Sequence, residues 1–289
     1  MRTLKGAATR SSVCSQQHGM SFTEYLHLKA AATLNVESKM LEVANLEKNF
    51  GGIKAVDRCS LKVQQGSITG LIGPNGAGKT TLFNLITGFY EPDGGEIWFS
   101  GEKITSLSPH KIARKALTRT FQIPRELREM TVLENLMVVP ENQIGEHIWN
   151  SLFRPRVVRD QERQLRDKAL EVLEFVELMD LANDYAKNLS SGQKKLLELA
   201  RTLMAEPKMI LLDEPGAGVN PTLMRKLTRN IEKLRQRGKT FFLIEHDMDL
   251  IMSLCDTVIV MNKGKRLAEG APDEIKENES VLEAYLGGR

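Results

Sequence analysis

Cysteine is scarce in this chain: Cys14, Cys59 and Cys255 are the only three in 289 residues. They lie far apart, match no metal-ligand spacing and leave an odd thiol over, which argues against a disulfide framework. All three read as ordinary thiols. Long apolar runs are also missing. The greasiest stretches, MILL at Met209–Leu212 and FFLI at Phe241–Ile244, are of strand length and fall well short of the roughly eighteen residues that span a bilayer. One-sided charge is absent too. Lys and Arg number 40 against 37 Asp and Glu, and 35 of each sign remain once residues 1–39 are set aside. A body so nearly neutral lacks the broad basic surface from which nucleic-acid affinity comes, so no nucleic-acid partner is expected. Residues 1–39 contain no apolar core of signal-peptide length, and are basic, rich in Ser and Thr and poor in acid. They are expected to be a disordered extension preceding a folded body of residues 40–289, rather than a targeting segment. Neither a tandem repeat nor a long coiled-coil insertion is visible.

What is present is an alternation of short apolar strands with helical segments, the pattern of an α/β fold with a largely parallel sheet. LEVANL, SLKV, SITGLIG and GEIWFSG, joined by Gly-rich turns, read as strands of the first part, some of them in an antiparallel layer. From about residue 110 to 206 helical periodicity dominates, with Leu165, Ala169, Val172 and Val176 on one face, and a helical subdomain inserted in the core is expected there. MILLDE, TFFLIEH and TVIVMNKG supply further strands. Between the first two, a helix presents Leu223, Leu227, Ile231 and Leu234 inward, with Asn220 as N-cap, Pro221 in the first turn and Gly238 at the end.

One segment carries chemistry by its spacing alone. Gly73, Pro74, Asn75, Gly76, Ala77, Gly78, Lys79, Thr80 and Thr81 fit the pattern G-x-x-x-x-G-K-[ST], placed between a strand and a helix. Small residues there let backbone N–H groups point at phosphate oxygens, Lys79 reaches the β- and γ-phosphates, and the Thr80 hydroxyl is a ligand for Mg²⁺. Much later the chain reads LSSGQ at Leu189–Gln193 and ILLDEP at Ile210–Pro215.

In that order these motifs resemble the ATP-binding cassette (ABC) family, and the resemblance runs from Met40 to the C-terminus. It implies a P-loop NTPase core of RecA-like type with an antiparallel β subdomain and an inserted α-helical subdomain, using ATP and Mg²⁺. By the resemblance, Gln122 in RTFQIP is the Q-loop residue, with a catalytic and metal-binding part. AGVNP is the D-loop, His246 in LIEHD the switch histidine, and Phe50 the aromatic that stacks on adenine with Val56 as apolar neighbour. In ILLDEP the apolar residues make a buried strand, so Asp213 and Glu214 emerge at its C-terminal end, where such sheets place ligands. Asp213 is expected to hold Mg²⁺ opposite Thr80, and Glu214 to deprotonate the attacking water. Ser190, Ser191, Gly192 and Gln193 open a helix whose first N–H groups suit an anion. The resemblance makes that anion the γ-phosphate bound by a second nucleotide-binding subunit, in a homo- or heterodimer. Ser191 stands where the family more often has glycine, and Asn220 where it usually has aspartate.

NFGGIKAV, ARTFQIPREL, DEPGAGVNP and EAYLGG look most like ATP-binding subunits of branched-chain amino-acid importers. That likeness implies a peripheral protein on the cytoplasmic face of the inner membrane. It would work with transmembrane permease subunits and, through them, a periplasmic solute-binding protein. The stretch from Gln122 to about Phe153 is the expected docking groove for the permease. ATPases of urea or amide importers or of lipopolysaccharide export share the same core chemistry, and a soluble non-transport ABC ATPase is the alternative from another class.

Overall fold

The structure is a computed structural model that describes residues 38–120, 126–141, 143–146 and 154–286. The chain divides into two units, residues 1–38 and 39–289. The expected N-terminal extension falls outside the described residues, apart from its last two.

The folded unit opens with a hairpin. Strands β1 (Lys39–Phe50) and β2 (Ile53–Gln64) pair antiparallel with Phe50 opposite Ile53, and Gly51 turns the chain at φ +57°. With β4 (Gly94–Phe99) and β5 (Glu102–Lys103) they form an antiparallel sheet in the order β2-β1-β4-β5. The second sheet contains β3 (Ile68–Ile72), β6 (Leu117–Arg119), β7 (Met209–Asp213), β8 (Thr240–Ile244), β9 (Thr257–Asn262) and β10 (Lys265–Gly270). Its order is β10-β9-β3-β8-β7-β6, and all neighbours are parallel except β10 with β9.

The apolar runs in this sheet follow from cover on both faces. Ile68, Ile72, Ile210, Leu212, Phe241, Leu243, Val258 and Val260 point into one buried cluster. Leu71, Met209, Leu211, Phe242, Ile244, Ile259 and Met261 point into the other. The first cluster is closed by helices α3 (Val132–Met137), α4 (Pro155–Phe175), α5 (Ser191–Met204), α6 (Pro221–Gln236) and α7 (Met248–Leu254). The second is closed by the antiparallel sheet together with α1 (Lys79–Ile86), whose Leu82, Phe83 and Ile86 are fully buried. Helices α2 (Pro109–Arg114), α8 (Pro272–Lys276) and α9 (Glu279–Leu286) lie outside the sheet strands.

Two sequence expectations change. The stretch expected to be helical from about 110 contains β6, which pairs Leu117 with Met209 and Arg119 with Leu211, so the core sheet takes three residues from it. Of the expected face, Ala169 and, just past the end of α4, Val176 are fully buried, whereas Leu165 and Val172 are only half-buried and Leu173 is buried in their place. The helix is set by a slightly rotated face. Helix α6 begins as expected: Asn220 Oδ1 accepts from the Leu223 N–H at 2.9 Å with Pro221 in the first turn, and Gly238 follows its end at φ +82°.

Candidate functional site

The residues expected to do chemistry leave the C-terminal ends of three adjacent strands. Strand β3 runs into the Gly73–Thr81 loop, β7 into Asp213 and Glu214, and β8 into Glu245 and His246. Register fixes this: Leu71 is opposite Ile244, and Ile244 opposite Asp213.

The loop needs its glycines for two different reasons. A Cβ on Gly73 would lie 2.1 Å from the Met261 carbonyl oxygen, and one on Gly78 would lie 2.2 Å from that of Ala55, so the loop is pressed onto neighbouring backbone. Gly76 faces open space but stands at φ +79°, a conformation other residues adopt at a cost. Ala77 is buried and offers only its backbone, whereas Asn75, Gly76 and Thr80 are exposed, and Pro74, Gly78 and Thr81 half-exposed. A cavity of about 310 Å³ borders the loop, lined by Pro74, Gly76, Lys263 and Glu283 among others.

Lys79 is the one cation buried in the loop, at 6% exposure. Its ammonium donates to the carbonyl oxygens of Gly73 at 2.7 Å and Pro74 at 3.1 Å. Burial pulls its pKa down, while the charges of Glu214 and Asp213 oppose that shift. A buried ammonium held by neutral carbonyls is suited to an anion.

Asp213 is buried and ion-paired: Arg119 Nη2 donates to its Oδ2 at 2.6 Å. The same guanidinium donates to Asn84 Oδ1 at 2.6 Å and lies over the Phe83 ring. Removing one member of so buried a pair costs about 3–5 kcal/mol. Asp213 and Thr80 each carry oxygens of the hard type that Mg²⁺ takes, an ion bound through one or two carboxylates with phosphates and water. Glu214 stands at φ +49°, and its Oε1 lies 2.9 Å from His246 Nε2. His246 is exposed, so this pair faces outward from the sheet edge.

Phe50 is 44% exposed at the end of β1, which rules out an ordinary core aromatic. Tyr90 meets it edge-on with centroids 5.3 Å apart, and the Lys48 ammonium sits over its ring. Lys48 is itself held by Asp93 at 2.8 Å. Val56 requires a correction. Expected beside a base, it is 1% exposed and packs in the cluster with Ala77 and Leu61, because a bulge at Arg58, φ +49°, breaks the alternation of β2 and turns Val56 to the same face as Cys59 and Leu61. Gln122 lies outside the described residues, as does part of the expected docking groove.

Ser190–Gln193 form the start of α5. Ser190 Oγ accepts from the Gln193 N–H at 3.3 Å, and Gln193 Oε1 accepts from the Ser190 N–H at 2.9 Å, a reciprocal cap. Ser191 Oγ donates to the Gly218 carbonyl at 3.3 Å. Gly192 is buried against Leu223, which a Cβ would approach to 2.3 Å. Among the described residues no hydrogen bond joins this turn to the Gly73–Thr81 loop of the same chain. Sequence reasoning missed Arg119, Asn84, Lys195, Glu245 and Tyr90. Only Glu245 carried a usable signal, an acid at the end of an apolar strand, the same signal that marks Glu214.

Residues 56–217 match the family model described as ABC transporter, and residues 265–289 match that described as branched-chain amino acid ATP-binding cassette transporter. The high-affinity branched-chain amino acid transport ATP-binding protein BraF of Pseudomonas aeruginosa is 46% identical, over 86% of this chain and 98% of its own. A solved ATP-binding cassette of an ABC transporter, in its ADP conformation, superposes with a TM-score of 0.74 at 40% identity, covering 86% of this chain and 99% of that one. A second, a dimeric cassette in a post-hydrolysis state bound to ADP and Pi, gives 0.67 at 25% identity, covering 81% and 99%.

Proposed function

The chain belongs to the ABC transporter family, and from that premise we propose that it hydrolyses ATP to drive import of branched-chain amino acids through separate membrane subunits. The observation that carries the chemistry is the meeting of Lys79, Asp213, Glu214 and His246 at neighbouring strand ends, with Glu214 Oε1 2.9 Å from His246. The exposed Phe50 supports a role in stacking on the adenine. Phosphates then run along the N–H groups of the loop to Lys79, which balances their charge.

Thr80 and Asp213 would hold Mg²⁺, with Gln122 the further ligand that the family resemblance implies, and the ion held there would supply neutralisation of phosphate charge. Glu214 accepts the proton of the attacking water as its oxygen bonds to the γ-phosphorus, while the bond to the β-phosphate oxygen breaks. Such a base contributes about 10²- to 10⁴-fold in rate. His246 holds the Glu214 carboxylate and presents its ring to the same space. Ser190–Gln193 of each subunit would close over the nucleotide of a second one, a reading that draws support from the dimeric cassette at 25% identity. Among the described residues no helix is long and apolar enough to cross a membrane, which fits a peripheral subunit on the cytoplasmic face that works through permeases and, beyond them, a periplasmic solute-binding protein. The solute preference rests on the likeness of the C-terminal segment and of the relatives.

The test is Glu214→Gln in the full chain, assayed for ATP binding and for hydrolysis. The amide keeps the size of the side chain but takes no proton, so ATP still binds while turnover falls by about 10²-fold or more. Turnover equal to wild type removes Glu214 from the role of base.

A further inference from the structure

Glu214 adopts φ +49°, a left-handed conformation that costs a non-glycine residue about 1–3 kcal/mol and persists only where surrounding contacts impose it. Those contacts are visible behind the turn Glu214–Ala217. On one side Lys195 of α5 donates from Nζ to the carbonyl oxygens of Glu214 at 2.9 Å and Pro215 at 3.1 Å. On the other side Glu245, 4% exposed, accepts the Gly216 N–H on Oε1 at 2.6 Å. Its second oxygen accepts the N–H of His246 at 3.0 Å. A Cβ on Gly216 would stand 2.7 Å from Glu245 Oε1, so a larger residue there would push on that carboxylate. Pro215 between them is buried.

The charges on the two side chains are coupled through this turn. Burial lowers the pKa of Lys195, and Glu245 is the foremost charge acting against that shift. A cation that takes two carbonyls and an anion that takes two amides hold the backbone by its own dipoles, as charge-assisted bonds stronger than neutral ones.

We infer that Lys195 and Glu245 are positioning residues, an oppositely charged clamp that fixes the Glu214 backbone and keeps its carboxylate on His246. Glu245 holds both partners of the Glu214–His246 pair at once, the first through Gly216 and the second through the amide of His246 itself. Lys195 brings in α5, the helix whose first turn carries Ser190. A displacement of α5 therefore reaches the base of the same chain through a single side chain. This rests on the reading of Glu214 as the base, and the experiment separates the two.

The full chain is compared with Lys195→Met, Lys195→Arg, Glu245→Gln and, as reference, Glu214→Gln. Methionine keeps the stem without the charge, arginine keeps the charge and can span two carbonyls, and glutamine leaves one accepting oxygen where two are used. Lys195→Met and Glu245→Gln should lower kcat by about ten- to a hundred-fold with KM for ATP within about two-fold, because a displaced base impairs the chemistry and not the binding. Lys195→Arg should recover most of kcat. A structural charge alone would give lower stability with no such split and no such rescue. In the nucleotide-free chain, the ring-nitrogen resonance of His246 should move in Lys195→Met in the same direction as in Glu214→Gln, a reading independent of turnover. If Glu214→Gln lowers kcat but Lys195→Met leaves both kcat and the His246 resonance unchanged, the clamp is wrong and the base stands. If Glu214→Gln itself hydrolyses at the wild-type rate, the reading of the base falls, and an unmoved His246 resonance in Lys195→Met would overturn the clamp as well.

Discussion

Gly76 and Gly78 sit in one loop at similar backbone angles, φ +79° and φ +100°, yet substitution should affect them differently. At Gly76 a methyl group meets nothing within 4 Å, so Gly76→Ala bears only the conformational cost, about 1–2 kcal/mol. At Gly78 the methyl would stand 2.2 Å from the Ala55 carbonyl oxygen, and the loop must leave β2 to admit it. Gly78→Ala should therefore lose ATP affinity by about ten-fold or more and lower the thermal midpoint as well, whereas Gly76→Ala, which displaces no backbone, should lose less of both. Titration with ATP and thermal unfolding of each variant check this, and equal affinities would mean the loop does not depend on that contact. The difference was not legible in the sequence, where both are motif glycines. The same limit hid Arg119, which becomes a site residue only when β6 pairs beside β7 and brings it to Asp213, 94 positions away. Lys79, Asp213 and Glu214 could be read because each lies next in the chain to the strand or turn that positions it.

Among the elements, two helices begin with the same reciprocal cap and differ in what lies before them. Ser190 caps α5 through Gln193, and Thr131 caps α3 through Glu134, whose Oε2 accepts the Thr131 N–H at 2.7 Å. Replacing either by alanine removes the hydroxyl that accepts one backbone N–H and should cost about 1 kcal/mol of stability, read from denaturant midpoints. If Ser190 also meets a nucleotide, Ser190→Ala alone should lower ATPase activity by more than its stability loss accounts for. A matched fall in Thr131→Ala would make the effect one of helix stability only. Element types were largely legible for a physical reason: a parallel strand covered on both faces is an unbroken apolar run, as in MILL and FFLI. Strand β6 was not, because three residues between helical stretches carry no period. Val56 was misplaced for a related reason. Its position near Phe50 along the chain says nothing of face, and the bulge at Arg58 in β2 turns it to the core side that Cys59 and Leu61 take.

At the scale of the whole molecule, the question is whether one chain contains a complete site. Lys79, Asp213, Glu214 and His246 follow the ends of three adjacent strands of one sheet, and Phe50 ends a strand of the other. Ser190 is exposed and anchored by its own cap, and its neighbour Ser191 is tied to Gly218. If the γ-phosphate is completed by another subunit, a lesion at Ser190 acts on the partner's nucleotide. Ser190→Arg would block the crevice that the phosphate must enter, while binding through Phe50 and Lys79 on each open subunit survives. Lys79→Ala removes the buried ammonium, and with it the charge nearest the phosphates, from its own subunit's site. Mixed assemblies then separate shared from unshared sites. With Ser190→Arg in one subunit and Lys79→Ala in the other, both lesions fall on one composite site and the second stays whole. With both substitutions in one subunit, each site carries one lesion. The first arrangement should retain up to about half of the wild-type ATPase activity, and the second should fall by about 10²-fold, the scale on which loss of a single stabilising group acts. Equal activity in the two arrangements, measured on assemblies purified through a different tag on each subunit, would mean that each chain completes its own site.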